Sequence, residues 1–500
     1  MTPRRFFLAS GALLGSGLLL TRHARAEQPA PLSAEERALH ALNRLAYGPR
    51  PQDLQDIATQ GAEAWLERFL GEQLQPGRLP APAALQTRLA GLELLTLSPN
   101  ELLHRERALR QARRTQRRSE AQAEARSEGQ VMPERAALRE LQRQAGVARL
   151  LRAREQPAQL VEVLTEFWFN HFNVFAGKAP VGLLVADYEQ RAIRPHVLGR
   201  FRDMLGATAR HPAMLIYLDN ARNAATGRPG TRGGLNENYA RELMELHTLG
   251  VDGGYTQQDV TELARVLTGW GLDARAIAAG TPGDGFRFDP RRHDAGGKTW
   301  LGRRIAPAGQ AEGEQALDLL ARHPATARHL AYRFAQALVA DQPPPALVQR
   351  LADDFLRSDG DLHQLTRTLL RADEFWQRGT VRAKFKTPWR YLVSSLRALD
   401  LPVDAPQPLL AGLAQAGQPL YGAASPEGYK TTAEAWRNAE ALTQRVQLAA
   451  SLGARSTLDP EQLAPLLGGA PGLATRQVLA GQPPARQRAL LLASPDFLMY

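Results

Sequence analysis

The stretch Gly234-Leu-Asn-Glu-Asn-Tyr-Ala-Arg-Glu-Leu-Met-Glu-Leu-His-Thr-Leu-Gly250 predicts one amphipathic helix that is crowded with ionisable and amide side chains. At about 100° per residue, its tyrosine and leucines form one apolar face, and Glu242 lies within that face. A carboxylate that points into an apolar core is costly unless a partner neutralises it. This helix is therefore where the sequence first predicts a functional site.

The rest of the chain is also typical of helices, because period-two alternation is rare and Ala, Leu, Arg, Gln and Glu dominate. Ser33 and Thr256 each precede an acid by three residues, a capping box that marks a helix start. Strands are predicted only at Phe286–Phe288 and 298–301, which we expect to pair as a hairpin. The predicted fold class is all-α: a large multi-helix domain with one minor β-hairpin (about 285–302) and a long polar helical hairpin insertion.

We expect residues 1–26 to form a signal peptide and residues 27–500 to form a single large helical domain. The leader has twin arginines, Arg4 and Arg5, then an apolar run and a small-x-small site at Ala24-Arg-Ala26. This pattern is typical of twin-arginine export, and its apolar run is shorter than a membrane span, which disfavours the alternative of an uncleaved anchor. The sequence thus predicts a periplasmic or extracellular protein, exported by the twin-arginine route, with no transmembrane span after signal cleavage.

Within the domain, the expected parts are an Arg-rich helical insertion at 101–155, a motif-rich core at 160–270, a hairpin with its loop at 271–310 and C-terminal helices at 311–500. From His104 to Glu155 the insertion has fourteen Arg against seven Glu, which predicts two long polar helices. Such a hairpin can present a surface to an anionic partner. The simpler interpretation, a solvated helical insertion, is favoured.

The composition excludes several classes of site. The chain contains no cysteine, so it has no disulfide, no thiolate nucleophile and no cysteine-ligated zinc or iron–sulfur centre. The formal charge of +11 falls to +7 once a leader with four arginines and no acid is removed. This modest charge indicates contact with an anionic envelope surface and no nucleic-acid function.

The candidate site is centred on Glu242 and on a second core-directed ionisable residue, His171, which shares an apolar helical stripe with Leu164 and Phe167. If the two meet, they form an ion pair or share a metal, for which His171, Glu242 and Glu245 are the candidate ligands and a divalent metal the candidate cofactor. The candidate catalytic residues are Glu242 as base or ligand, His171 as ligand or general acid, and Asn238 and Arg241 as residues that orient a substrate. The competing hypothesis is a structural network in which an Arg or His neutralises a buried Glu242.

Other polar residues are candidate binding residues. On the same helix these are Asn236, Glu237, Glu245 and His247, and elsewhere Arg194, Asp219, Asn220, His293, Asp294 and Lys298. Arg194 is a candidate partner for Glu242 or an anionic substrate, and the loop with His293 is a candidate pocket rim, for which a plain exposed turn is the simpler alternative. His211, just before a proline, is explained by helix capping alone. Zinc-protease, di-iron, phosphate-loop, dinucleotide and Gly-x-Ser-x-Gly motifs are not found.

These motifs together resemble a bacterial family known as domain of unknown function 1800. The matching stretches are His40-Ala-Leu-Asn-Arg-Leu-Ala-Tyr-Gly-Pro-Arg50, Trp168-Phe-Asn-His-Phe172, Ile193-Arg-Pro-His196, His211-Pro-Ala-Met-Leu215, Tyr217-Leu-Asp-Asn220, Asn236 to Gly250, Leu267-Thr-Gly-Trp270, Lys386-Thr-Pro388 and Ser494-Pro-Asp-Phe497. The resemblance covers nearly the whole chain from about residue 38. It implies a secreted, mostly helical bacterial protein, encoded beside a second exported family (domain of unknown function 1501) that is a candidate partner. It implies no activity and no catalytic residue.

Two functional hypotheses follow from the sequence. In the first, the chain is a cell-envelope enzyme whose carboxylate and histidine, with or without a metal, act on a polymer or its fragments from the 160–270 core. In the second, it is a non-catalytic partner or carrier for another exported protein, and the Arg-rich insertion is the docking surface.

Overall fold

The computed structural model describes residues 30–120, 128–226, 234–467 and 471–500 of the chain. The predicted signal peptide lies outside the described residues. From Leu32 to Tyr500 the chain forms one compact unit. Of the described helices, none has both the length and the apolarity that crossing a lipid bilayer requires.

The fold is all-α, as predicted. In chain order its α-helices are α1 (Ala34–Leu45), α2 (Pro51–Gln60), α3 (Ala62–Gln73), α4 (Ala83–Ala90), α5 (Pro99–Glu120), α6 (Glu128–Glu155), α7 (Gln159–His171), α8 (Val181–Asp187), α9 (Phe201–Arg210), α10 (Pro212–Tyr217), α11 (Asn238–Glu245), α12 (Gln257–Val266), α13 (Ala274–Ala279), α14 (Gln310–Ala321), α15 (Pro324–Leu338), α16 (Pro345–Arg357), α17 (Leu362–Leu370), α18 (Pro388–Ala398), α19 (Pro406–Gln415), α20 (Ala439–Arg455), α21 (Pro460–Leu463), α22 (Leu473–Leu479), α23 (Pro484–Ala493) and α24 (Pro495–Leu498). A π-helical turn at Tyr188–Ile193 follows α8 directly.

Local chemistry explains where several helices begin. Ser33 and Thr256 form the predicted capping boxes of α1 and α12, and the His211 side chain accepts the Ala213 N–H at the start of α10. Gly61, at φ +81°, separates α2 from α3. A positive φ costs an L residue about 1 kcal/mol or more, so glycine suits this break.

The minor β-structure was predicted with the wrong partners. Strands β1 (Trp270–Leu272) and β2 (Phe286–Phe288) pair antiparallel, as do β3 (Lys298–Trp300) and β4 (Arg303–Ile305). The predicted pairing of Phe286–Phe288 with 298–301 is therefore wrong. Leu301 and Gly302 both have positive φ, which closes a two-residue turn between β3 and its immediate successor, a local pairing that competes with the longer one.

The Arg-rich insertion forms two long helices, as predicted, but it is not solvated throughout. In the second half of α6, Leu141, Ala145, Leu150 and Leu151 are buried in the core. This half packs against α7, α8 and α18 and contributes a buried arginine, Arg149, to the interior. The favoured interpretation of 101–155 as a solvated insertion is therefore wrong for this half of α6.

The centre of the fold is α7, which is buried along most of its length and contacts α1, α3, α6 and the π-helical turn. Trp168 and Phe172 of α7 pack on Phe201 of α9, and Phe167 meets Phe334 of α15 at 5.6 Å between ring centroids. This arrangement places the polar residues of α7 between α6, α15 and the C-terminal third of the chain.

Candidate ligand-binding cleft

The helix that carries Glu242 is shorter than the sequence predicts. It spans Asn238–Glu245, and the Glu242 carbonyl accepts N–H groups from both Leu246 (2.9 Å) and His247 (3.1 Å) as the helix ends. Residues 234–237 precede the helix and 246–250 follow it as a turn. A helical wheel therefore misplaces both groups of residues, and with them much of the expected apolar face.

Glu242 is half-buried and does not point in among leucines as expected. Its carboxylate makes no hydrogen bond or ion pair with the described residues. Partial burial, and secondarily the charge of Glu245, raise its pKa, and it lies close enough to Tyr217 to raise the pKa of that phenol. The buried face of α11 consists instead of Tyr239, Ala240, Leu243 and Met244.

His171 is buried as expected, but its partners are other histidines. Its Nε2 lies 3.1 Å from the His247 carbonyl oxygen, and its ring lies 6.2 Å from the His247 ring and 6.0 Å from that of His329. We call these three residues the histidine cluster. Burial lowers the pKa of all three, well below the usual range for His171, to about 3 for His247 and to about 4 for His329, so the cluster is neutral at pH 7.

The predicted Glu242–His171 pair is not formed, because each residue makes its contacts elsewhere. Glu245 accepts a hydrogen bond from the Tyr255 hydroxyl at 3.2 Å and lies near Glu242, but neither carboxylate makes a hydrogen bond or ion pair with His171. Within the described ranges, no three His, Asp or Glu side chains are arranged to hold a metal ion. The metal hypothesis therefore has no support from this geometry.

The other candidates on and before α11 join neighbouring segments. Glu237 accepts hydrogen bonds from Gln257 (2.7 Å) and Thr261 (2.7 Å) of α12, and Arg241 donates to Gln257 at 2.8 Å. Asn236 accepts the Asn238 N–H at 3.0 Å, and the Asn238 amide donates to the Leu218 carbonyl. These contacts fix the entry into α11 and its packing on α12.

Asp219 and Asn220 also have local roles. Asp219 adopts a left-handed conformation (φ 62°) after α10 and pairs with Lys178 at 2.9 Å. Asn220 is fully buried, and its amide donates to the carbonyl oxygens of Leu267 and Trp270. Asn220 thus ties the end of α12 to the end of α10.

The loop that carries His293 is neither a pocket rim nor an exposed turn. Lys298 is fully buried, and its Nζ lies 2.5 Å from Glu312 Oε2, while His293 Nε2 lies 3.0 Å from Glu312 Oε1. We call Lys298, Glu312 and His293 the lysine–glutamate–histidine cluster. Burial favours the neutral acid, but hydrogen bonds from Lys298, Ala308 and His293 outweigh it and lower the pKa of Glu312. Asp294 pairs with Arg265 at 2.8 Å beside the cluster.

A second buried ionic group was not predicted from the sequence, because its members come from three separate segments. Arg194 pairs with Glu162 of α7 (2.5 Å) and with Glu189 of the π-helical turn (2.9 Å), and Glu189 also pairs with Arg149 of α6 (2.6 Å). Arg194 therefore binds neither Glu242 nor an open site. Burial opposes the charge of Glu189, but Arg149 and Arg194 outweigh it and lower its pKa to about 2.

One member of this arginine–glutamate network (Arg149, Glu162, Glu189 and Arg194), the Arg149 side chain, forms the floor of a cleft between α6, α7, α15, α18 and the 418–431 segment. The cleft has a volume of about 90 Å³. Its lining residues are Arg149, Val163, Glu166, Phe167, Phe169, Asn170, Asn173, Arg333, Ala337, Leu338, Thr387, Trp389, Arg390, Gln418, Leu420, Tyr421, Tyr429, Lys430, Thr431 and Tyr500.

Aromatic rings position the Arg149 guanidinium in the cleft floor. Its Cζ lies 5.3 Å from the Phe169 ring centroid, 5.5 Å from that of Trp389 and 5.4 Å from that of Tyr421. The Tyr421 hydroxyl donates to Glu189 at 2.9 Å, so one carboxylate holds both Arg149 and Tyr421.

The 418–431 segment covers one side of the cleft without forming a helix or a strand. Asn170 holds it in place, since its amide donates to the Tyr429 carbonyl and accepts the Tyr429 N–H, each at 2.8 Å. Asn173 donates to the Ala423 (3.0 Å) and Ser425 (2.8 Å) carbonyls. Gly428, at φ +77°, passes so close to Asn170 that a Cβ there would lie 2.4 Å from its carbonyl oxygen.

Two charges in the cleft wall lack a partner. Lys430 pairs with Glu427, and Arg390 donates to the carbonyl oxygens of Asn43 (2.7 Å) and Ala46 (2.9 Å). By contrast, the side chains of Arg333 of α15 and Glu166 of α7 make no hydrogen bond or ion pair with any described residue, although Glu166 lies close enough to Arg149 to help raise the pKa of that guanidinium. Burial lowers the pKa of Arg333, with Glu427 opposing it, so the surroundings of this guanidinium do not fully compensate its charge.

The lining residues determine which chemical groups the cleft can bind. Its walls offer rings and aliphatic side chains to an apolar or planar group, and one free guanidinium to an anion. The sequence contained a partial signal for it, because Trp168-Phe-Asn-His-Phe172 is one of the family-like stretches and its Asn170 holds the cleft wall. Most of the other wall residues lie between Arg333 and Tyr500, more than 150 positions away, and no local pattern connects them to Asn170.

Comparison with known proteins gives one match. A family model described as "Protein of unknown function (DUF1800)" matches residues 40–499. No curated protein and no solved structure matches the chain significantly.

Proposed function

This chain belongs to the DUF1800 family, and on that premise we propose that it is an exported cell-envelope protein that binds a small anionic ligand in the cleft around Arg333. The observation that carries the proposal is an arginine in the wall of an aromatic cleft with no partner among the described residues. Leaving a partly buried cation unpaired costs stability, and a bound anion would remove that cost.

The size of the cleft limits the ligand. A volume of about 90 Å³ admits a ring-sized group, and Phe167, Leu338 and Trp389 would contact its faces. If the natural ligand is an envelope polymer, we propose that a chain end or a released fragment occupies the cleft. The aromatic walls favour a planar or cyclic body over a bare inorganic anion.

If the protein is an enzyme, we propose that its reaction takes place in this cleft. The proposed acid–base residue is Glu166 of α7, because it is the carboxylate among the cleft-lining residues, whereas Glu242 and His171 do not meet. Export by the twin-arginine route is part of the proposal and rests on the leader sequence with Arg4 and Arg5.

Calorimetric titration of the mature chain with benzoate, and with inorganic phosphate for comparison, tests the proposal. We expect benzoate to bind more tightly than phosphate, because only benzoate contacts the aromatic walls. Arg333→Gln should weaken benzoate binding about ten-fold or more, the effect of a lost charge-assisted hydrogen bond. Arg328→Gln is the matched control, since Arg328 lies on the same helix but is exposed. Equal benzoate affinity in the two variants, or no binding to the parent chain, would refute the proposal.

The partner or carrier function is a second proposal, supported by the insertion. Arg107, Arg114 and Arg139 of α5 and α6 are exposed and have no acidic partner among the described residues. Because the second half of α6 is buried, deletion of the whole insertion would disrupt the core. The triple substitution of these arginines by Gln is the cleaner test. It should abolish co-purification of an acidic exported partner while benzoate binding is kept; unchanged co-purification would exclude this surface.

A further inference from the structure

We propose that the ligand is a zwitterion: its anionic group binds Arg333 and its ammonium group binds Glu166 in the same cleft. This inference rests on the proposed function and adds the second charge of the ligand. The ligand class is that of small amino acids with an aromatic or apolar side chain, as free molecules or as the end of a peptide fragment.

Most charged side chains in the cleft wall already have a partner or are turned away from the cavity. Arg149 is neutralised by Glu189 at 2.6 Å, and Lys430 by Glu427. Arg390 is only 5% exposed. Its guanidinium donates to two backbone carbonyls and lies 4.3 Å from the Tyr500 ring centroid, so it is turned into the protein. Among the described lining residues, this leaves Arg333 and Glu166 as the charged side chains available to a ligand.

Arg333 and Glu166 do not form an ion pair with each other. They come from α15 and α7, which meet through Phe334 and Phe167, and their charged atoms are not within ion-pair distance. A half-buried carboxylate without a donor is as unfavourable as a half-buried guanidinium without an acceptor. A purely anionic ligand would satisfy Arg333 and leave Glu166 unpaired near a second negative charge.

Apolar side chains line the cleft close to Arg333 and Glu166 in the sequence of their helices. Phe167 follows Glu166 on α7 and lines the cleft together with Leu338, which lies five residues after Arg333 on α15. In the proposed complex, a side chain of ring size lies on these apolar groups, and the carboxylate and ammonium of the ligand contact Arg333 and Glu166. A molecule with one ammonium, one carboxylate and one apolar group complements all three features.

The experiment uses three probes with the same ring: L-phenylalanine, 3-phenylpropionate without the ammonium, and 2-phenylethylamine without the carboxylate. In the mature parent chain, phenylalanine should bind about ten-fold or more tightly than either, because each of the other two probes lacks one charge-assisted contact. Glu166→Gln should remove the preference for phenylalanine over 3-phenylpropionate. Arg333→Gln should weaken the binding of both. Thermal melting checks that each variant is folded.

The outcomes separate this inference from the proposed function. If 3-phenylpropionate binds as tightly as phenylalanine, or if Glu166→Gln keeps the preference, the zwitterion is excluded while anion binding at Arg333 stands. If neither benzoate nor phenylalanine binds the parent chain, both proposals are wrong. Glu162→Gln is the matched control, since Glu162 lies one turn earlier on α7 but is buried against Arg194. It should retain the preference for phenylalanine.

Discussion

The lysine–glutamate–histidine cluster and the cleft are two regions in which this protein places charge away from water. In the cluster, Glu312 is satisfied on both oxygens, by Lys298 at 2.5 Å and by His293 at 3.0 Å. In the cleft, Arg333 and Glu166 face a cavity and have no partner among the described residues. The difference shows that burial of a charge does not by itself indicate a binding site. A partner missing beside a cavity is the more informative feature.

The histidine cluster is a third arrangement, in which buried groups avoid the cost by staying neutral. His171, His247 and His329 have lowered pKa values, and the rings of His171 and His329 bond to backbone carbonyls. The three regions therefore predict different responses to mutation and to pH.

The largest effect is expected at the closed cluster. Glu312→Gln leaves Lys298 fully buried without its counter-charge, and should lower the free energy of unfolding by about 3–5 kcal/mol. Chemical denaturation measures this difference. Asp318→Asn is a matched control on the same helix, because Asp318 pairs with Arg202 while 49% exposed, and its loss should cost about 1 kcal/mol or less. Similar values for the two variants would remove the distinction between closed and open charges.

A smaller effect is expected in the arginine–glutamate network beneath the cleft. Glu189→Gln and Glu162→Gln each leave Arg194 with one carboxylate, and each should lower the free energy of unfolding by about 2–3 kcal/mol. Only Glu189 also holds Arg149 and Tyr421, so only Glu189→Gln should weaken benzoate binding. Benzoate titration of both variants tests this, and equal loss of affinity would mean that the network acts through stability alone.

The smallest effect concerns pH. Because burial lowers the pKa of the clustered histidines, the unfolded chain takes up protons between about pH 6.5 and 4 while the folded chain does not. Stability should therefore be complete above pH 6.5 and fall as the pH decreases, by about 1 kcal/mol per pH unit for each histidine. His329→Gln should reduce this slope by about 1 kcal/mol per pH unit, the contribution of one histidine, when denaturation is followed from pH 7 to 5. An unchanged slope would show that His329 is not a buried neutral base.

The paired glutamates affect stability in a lower pH range than the histidines do. Glu189 and Glu312 have lowered pKa values, so the stability they contribute is present above the ordinary glutamate pKa of 4.5 and is lost only below it. Between pH 6.5 and 5 the histidines therefore dominate the pH dependence.

Parts of the fold that depend on neighbouring residues were predictable from the sequence. The caps at Ser33, Thr256 and His211 were correct, as were the all-α class and the two helices of the insertion. The resemblance to the domain of unknown function 1800 family is confirmed over residues 40–499.

The candidate site was less predictable, for a specific reason. The wheel drawn for 234–250 assumed that the helix continues through His247, but the helix ends at Glu245 and the chain turns His247 toward His171. Periodicity shows which face of a helix is apolar. It does not show where a tertiary contact ends the helix.

By itself, the sequence determined the helical class, the helix starts, the absence of cysteine chemistry and the family, since each depends on composition or on residues a few positions apart. Only the tertiary structure decided which charges are paired. Lys298 meets Glu312 across 14 positions, Arg149 meets Glu189 across 40, and Asn170 holds Tyr429 across 259. Such partners are chosen by how helices pack, and an arginine left without one can be recognised only after the packing is known.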